Sequence, residues 1–261
     1  MRITKLEAKK KSVKITFDNG QSLDLVVEVL GEFYLYKNKE LSDEELYKLK
    51  QYSEMLTHYH YALRVLARGL YSREEITNKL VKRQVEELVI SLIVDRLSKN
   101  NLLNDETYAK SVFSYYFKQN YGPKFIKKRL EDKGIDLSII DKIVVIDEST
   151  QLANANLLAN KLVEKTNKIA KSKLLNKIYS KLNRYGYDHH ICAQVVTSLK
   201  SSLYVDETMI IIKDYQRLAT RLSRSIDDQK ILKQKISVRL AQKGYSYSQI
   251  KKVVEEQENV Y

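Results

Sequence analysis

The feature that most constrains this chain is an internal repeat. Starting from Ile126, Leu130 lies at +4, Gly134 at +8, Ile135 at +9, Asp136 at +10, and Ile143 and Val144 at +17 and +18. The same offsets from Ile178 give Leu182, Gly186, Tyr187, Asp188, Val195 and Val196. From Ile236 they give Leu240, Gly244, Tyr245, Ser246, Val253 and Val254. Even the words align: LEDKGID, LNRYGYD and LAQKGYS. An earlier copy starts at Ile76, with Leu80, Ile90, Ile93 and Val94, and carries Gln84 where the others have glycine. The anchors at 76, 126, 178 and 236 stand 50, 52 and 58 residues apart, a spacing that belongs to repeat architectures.

The offsets dictate a local structure. Apolar residues three and four apart line one face of a helix. A glycine just past that helix supplies the left-handed residue that commonly ends one. Asp136, Asp188 or Ser246 then stands where an N-cap of the next helix belongs. Gly122 and Pro123 precede the helix of the second copy, with Pro123 at a first position where a missing N–H costs little. A longer helix is predicted before each pair, over about 57–69, 105–119, 150–168 and 207–224. Each unit is therefore three helices with a thin core, and tandem copies gain by packing on neighbours. The structural positions are Leu80, Gly122, Pro123, Leu130, Gly134, Leu182, Gly186, Leu240 and Gly244. One proline and seven glycines in 261 residues agree with a mostly helical chain.

Residues 2–36 differ. ITKLEAKK, KSVKITF and LDLVVEV are short β-branched runs, with Asp18-Asn19-Gly20 between the second and third as a hairpin signal. Ser42 with Glu45, and Ser72 with Glu75, are capping-box pairs that open helices. The first of these helices is predicted from 43 to the mid-50s. In the next, Ala62, Leu63, Leu66 and Leu70 are predicted to share a face. The expected fold is thus a small N-terminal β-hairpin or sheet followed by tandem three-helix repeats in an elongated, curved, solenoid-like array. Its expected divisions are 1–56 (β element and linking helix), 57–104, 105–148, 149–203 and 204–261.

Charge separates these parts. Residues 1–56 hold ten Lys/Arg and ten Asp/Glu, so the whole excess of +13 lies in 57–261. Such an excess points to a polyanionic partner. It is densest in 118–133 (six basic against two acidic), 161–184 (eight against one) and 213–243 (nine against three). Lys124, Lys127 and Lys128 are predicted to share an exposed face opposed to Ile126 and Leu130. Lys173, Lys177, Lys181 and Arg184 repeat the design one unit later. With Arg64, Arg68, Arg73, Lys79, Lys118, Lys133, Lys235 and Arg239, they are the candidate contacts to a polyanion. Contacts of this sort give affinity without base specificity. Tyrosines such as Tyr115, Tyr116, Tyr121, Tyr185 and Tyr187 suit helix packing better than base stacking.

Catalytic patterns are missing. There is no GxxxxGK[ST] or GxGxxG. His58, His60, His189 and His190 lack metal-ligand spacing, and each is expected at the surface or a helix end. The single Cys192 is expected to be a small buried hydrophobe, and one cysteine allows no internal disulfide. The chain reads as a non-enzyme without cofactor or metal. No run suits a secretory signal or a spanning helix, so the expected compartment is the cytoplasm.

ALRVLARGLYSREEITNKL (62–80), NDETYAKSVF (104–113) and YGPKFIKKRLEDKGI (121–135), together with the β start, resemble the RecX family of RecA recombinase regulators. The resemblance covers nearly the whole chain, in the longer form with an additional C-terminal repeat. It departs in the missing glycine of the first repeat, and in the absence of a basic patch before the strands. It implies a monomer that binds in the helical groove of RecA filaments and contacts single- and double-stranded DNA. It further implies that the protein limits filament growth, ATPase and strand exchange. A nucleic-acid binder without RecA dependence is the alternative.

Overall fold

The structure is a computed structural model that describes residues 1–166, 169–203 and 206–258. It begins with an antiparallel sheet in the order β1 (Ile3–Ala8), β2 (Ser12–Phe17), β3 (Ser22–Val26). Alternation along β2 puts Val13, Ile15 and Phe17 on one face. That face forms a core with Ile3, Leu25, Val29, Leu35, Leu41, Leu46 and Leu49. The β2–β3 connection is the three-residue loop Asp18-Asn19-Gly20, closed by Phe17 N–H donating to the Gln21 carbonyl at 2.9 Å. Gly20 supplies its left-handed residue at φ +81°.

The helices follow as α1 (Val29–Glu32), α2 (Asp43–Leu66), α3 (Arg73–Val81) and α4 (Glu87–Lys99). Next come α5 (Asp105–Lys118), α6 (Pro123–Glu131), α7 (Leu137–Ile143), α8 (Glu148–Lys165), α9 (Lys171–Arg184) and α10 (His189–Ser202). The last three are α11 (Thr208–Leu222), α12 (Gln229–Gln242) and α13 (Tyr247–Glu258). The chain is mostly helical, and from the second half of α2 onward the helices come in threes.

Helix α2 corrects one boundary. The helix expected to stop in the mid-50s runs on to Leu66, so the linking helix and the first helix of the first repeat are one element. No glycine or proline occurs between Ser42 and Gly69, and nothing else there breaks the pattern. Leu70 lies past the helix end and is exposed, rather than sharing the face of Ala62, Leu63 and Leu66. The expected helix end at 168 and the expected start of the fourth repeat at 204 fall at residues 167–168 and 204–205, outside the described residues.

The repeat positions are where the interior lies. Ile76, Ile126, Ile178 and Ile236 are at most 1% exposed, and Leu80, Leu130, Leu182 and Leu240 are fully buried. Tyr187, Tyr245, Val144, Val195 and Val253 are buried with them. Gly134, Gly186 and Gly244 have φ of +68°, +86° and +97°. Gln84 adopts +59° in the same role without being glycine. Both capping boxes form: Ser42 and Ser72 each accept from the N–H three residues on, and each donates its N–H to the glutamate there. Asp136 accepts from Ser138 N–H at 2.8 Å, and Ser246 Oγ from Gln249 N–H at 3.3 Å. Asp188 departs from the pattern. It starts α10 in extended conformation but makes no side-chain cap, because its carboxylate is taken by Lys124 at 2.6 Å.

Two compact units are present, Met1–Lys110 with Glu131–Ile139 and Ser111–Leu130 with Ile140–Tyr261. In the first, Ser72 Oγ at the start of α3 donates to the Lys133 carbonyl at 2.7 Å. In the second, Gly122 N–H donates to the Tyr185 carbonyl at 2.7 Å and Lys124 N–H to the Gly186 carbonyl at 3.1 Å. Ser172 Oγ, in the first turn of α9, donates to the Gly244 carbonyl at 2.6 Å. At each of these junctions the start of one repeat's middle helix meets the glycine end of the next repeat's middle helix. Carbonyls at helix ends thus find donors across each junction, from serine hydroxyls at the first and third and from backbone N–H groups at the second, and opposite ends of helix dipoles meet.

The first junction is also ionic. Lys133 Nζ lies 2.5 Å from Glu75 Oε1. Burial resists ionisation of Glu75, but the Lys133 ammonium and the Ser72 N–H outweigh it and hold its carboxyl below the usual range. A lowered carboxyl contributes stability that is present above its unfolded value and lost as pH falls through the folded one. Glu75→Gln should therefore lower Tm at neutral pH, and the difference from wild type should close as pH drops below about 4. A difference that persists unchanged to acid pH would show that the charge is irrelevant.

Candidate polyanion interface

The sequence-predicted basic residues divide into engaged and unengaged groups. In the first unit, Arg73 pairs with Asp95 at 3.2 Å, Lys133 with Glu75, and Lys79 lies over the Tyr71 ring at 5.0 Å. Arg64 and Arg68 are exposed, at and just past the end of α2, and hold no ion pair with a described residue. In the second unit, Lys124 pairs with Asp188 and Lys127 with Asp141 at 2.5 Å. The shared exposed face expected for Lys124, Lys127 and Lys128 is thus modified. Lys124 and Lys128 are exposed, but Lys127 is half-buried, because its stem lies down toward α7 to reach Asp141. Lys118, Lys173, Lys177, Arg184 and Lys235 are exposed and unpaired among the described residues. Arg239 is exposed and donates only to Gln242 Oε1 at 3.3 Å.

The second unit also holds an aromatic column that the sequence did not reveal. Tyr121 stacks on Tyr185 with centroids 4.3 Å apart and planes 3° from parallel, and on Phe125 at 4.2 Å. Arg129 lies over the outer Phe125 face at 5.1 Å, and Lys181 over Tyr185 at 4.2 Å. Tyr116 meets Tyr121 and Phe125 edge-on. Cations at both ends of a ring stack are favourable. The stack leaves Phe125, Tyr121 and Tyr185 no open ring face, so these rings join the second and third repeats and do not receive bases. Tyr187 is buried and donates its hydroxyl to the Asn120 carbonyl at 2.8 Å. Tyr115 remains exposed, edge-on to Tyr116.

Lys181, a predicted polyanion contact, is therefore partly structural. Its ammonium hydrogen bond pulls the Tyr185 phenol below its ordinary range. Arg129, absent from the predicted set, has the same structural role. Its signal was its place one turn after Phe125 (i+4), but the stack itself needs residues about 60 positions apart.

In the first unit, an open groove of about 500 Å³ lies between α2 and α4, lined by Phe33, Tyr52, Met55, Val85, Leu88 and Leu92, with polar residues among them. His58 lines it too. It is half-buried mid-helix rather than at a surface or helix end, and its Nδ1 has no hydrogen-bond partner. His60 lies 3.1 Å from Glu28, and His189 3.0 Å from the Tyr179 hydroxyl. His190 lies 3.6 Å from Glu148. Among the described residues no group of three or more His, Cys, Asp or Glu side chains is placed to hold a metal, and no helix is long and apolar enough to cross a membrane. Cys192 is fully buried, and burial raises its thiol above the ordinary range.

The first three-helix core contains Tyr59, Ala62, Val65, Ile76, Leu80, Ile90, Ile93, Val94 and Leu97. Residues 59–97 match the family described as RecX, first three-helix domain. Over 267 aligned residues the chain is 30% identical to Regulatory protein RecX of Listeria monocytogenes serotype 4b (strain F2365), covering 99% of this chain and 97% of that one. It is 28% identical to Regulatory protein RecX of Streptococcus agalactiae serotype III (strain NEM316), covering 98% and 99%. A crystal structure of regulatory protein RecX superposes with a TM-score of 0.65 at 24% identity, over 74% of this chain and 98% of that one. The crystal structure of RecX from Lactobacillus salivarius superposes at 0.50 with 30% identity, over 56% and 96%. With a relative that similar along its full length, and with the repeat cores in place, the chain belongs to the RecX family of regulatory proteins.

Proposed function

We propose that this protein is a mainly negative regulator of RecA recombinase. It binds RecA–DNA filaments in their helical groove, contacts DNA, and limits filament growth, ATPase and strand exchange. The observation that carries the reading is the recurrence of exposed, unpaired cations on successive middle helices: Lys173, Lys177 and Arg184 on α9, and Lys235 and Arg239 on α12. Repeated cationic faces on stacked units suit a long, regular polyanion, and phosphate contacts of this type position without reading sequence. The regulator acts by occupancy, with no chemistry of its own.

The test compares binding to DNA alone with binding to RecA–DNA filaments across a salt series, and follows RecA ATPase. Tighter binding to the filament and a falling ATPase are expected. Equal affinity for bare DNA and filament, with ATPase untouched, would leave a nonspecific nucleic-acid binder instead.

A further inference from the structure

The fourth repeat carries a cationic stripe that none of the predicted contacts includes. Lys213, Arg217 and Arg221 stand four residues apart along α11, and Arg224 follows in the turn past its end. Residues i and i+4 are neighbours on a helix, about 6 Å apart along the axis. The opposite face is fixed in place. Ile211 and Leu218 are buried in a core with Leu232, Ile236, Leu240, Tyr245, Ile250 and Val253, and Tyr215, Ala219 and Leu222 pack against it. The stripe therefore faces outward, and all four cations are exposed.

Its electrostatics match those of α9 and α12 and differ from those of the basic residues around α3 and α6. Lys124, Lys127, Lys133 and Arg73 each hold a carboxylate, whereas none of these four is in an ion pair among the described residues. The nearby acids are turned elsewhere. Asp214 accepts from Lys243 at 2.5 Å and from the Tyr245 hydroxyl at 2.9 Å. Glu207 accepts from Gln249 and from Lys171 N–H, and Asp228 caps α12. Asp227, exposed in the loop beyond Arg224, is the remaining acid of this stretch. The three arginines, with Gln216 and Thr220, line a hollow of about 360 Å³. No aromatic ring lines it, so it offers nothing on which a base would stack.

We infer that the α11 stripe of Lys213, Arg217, Arg221 and Arg224 is a nucleic-acid phosphate-backbone contact that does not read sequence. A guanidinium fork matches phosphate oxygens two at a time, and successive forks along the helix can follow one strand. The inference rests on the DNA contact proposed above and assigns it to particular residues.

The experiment is a salt-series titration of a short duplex DNA by the full chain, without RecA, between about 50 and 200 mM salt. R217Q/R221Q/R224Q is expected to lower the slope of log K against log salt by about 0.9 for each lost contact. R217K/R221K/R224K, which keeps the charge, should retain most of the slope. All three side chains are exposed, so an unchanged thermal melt should accompany the loss. If wild type binds and the glutamine variant titrates like it, the inference falls, while the filament reading, judged by RecA ATPase, stands. If wild type shows no affinity for duplex even at low salt, the DNA contact and this inference fall together.

Discussion

Gly186→Val is expected to destabilise the protein by about 3 kcal/mol or more, with a clear fall in Tm and in the urea midpoint. Two costs combine. The residue sits at φ +86°, where a side chain costs about 1–2 kcal/mol. A Cβ there would also strike the backbone nitrogen of Phe125, and it would stand 2.5 Å from the Phe125 Cβ and 2.8 Å from its Cα. Backbone cannot swing aside as a side chain does. Relief requires α6 to retreat from α9, with loss of the Lys124 N–H bond to the Gly186 carbonyl and of the tight Gly122 contact beside it. Gly20→Val separates the two costs. Gly20 has φ +81° with no atom within 4 Å of its added Cβ, so only the conformational cost of about 1 kcal/mol applies. Gly134→Val belongs between them, because the far end of the Glu74 side chain can move away from the added Cβ, whereas the Glu74 Cβ, 2.6 Å away, follows the α3 backbone. Equal losses at Gly186 and Gly20 would show that the glycine serves its own turn and not the junction.

Leu182→Ala should cost about 2–5 kcal/mol, the usual range for emptying a fully buried leucine site. Leu182 is fully buried among Leu158, Leu174, Ile178, Tyr187, Ile191 and Val195. Its surroundings come from three helices and a turn, and they cannot all collapse into the gap at once. Leu88→Ala provides the contrast: Leu88 is 72% exposed, and its loss should stay within about 0.5 kcal/mol. Urea unfolding of both variants checks the pair, and a Leu182→Ala midpoint no lower than that of Leu88→Ala would contradict the repeat core. Leu80, Leu130 and Leu240 are equally buried and carry the same expectation.

What the sequence made legible was short in range. The capping boxes at Ser42 and Ser72 join residues three apart, and the +4 leucines and the glycines lie within one or two turns of their anchors. Each is set by local helix geometry, so counting along the chain finds it. The continuity of α2 was less legible, since a repeat starting near residue 57 and the absence of any breaker between Ser42 and Gly69 point to different helix ends. The pairing of the lysines escaped for a different reason. Lys133 meets Glu75 across 58 residues, and Lys124 meets Asp188 from the following repeat. A count of charges reads such cations as free, although the fold has already assigned them partners. The Tyr121–Tyr185 stack was hidden in the same way. The α11 stripe, by contrast, is local: 213, 217 and 221 are spaced at i+4, so helix geometry alone puts them on one face.

The junctions between middle helices also bear on how a tandem array stops. Each works because one helix offers a donor and the next offers a carbonyl at or just before its closing glycine. At the first repeat, the place of that glycine is held by exposed Gln84 at φ +59°, so a side chain stands where Gly134, Gly186 and Gly244 have none. At the start of α12, Asp228 accepts from Lys230 and Ile231 N–H at 2.8 and 3.1 Å, so those donors are satisfied within the repeat. The two outer repeats thus differ in kind from the inner junctions: one presents a side chain where the others have glycine, and the other a helix start already satisfied by its own cap.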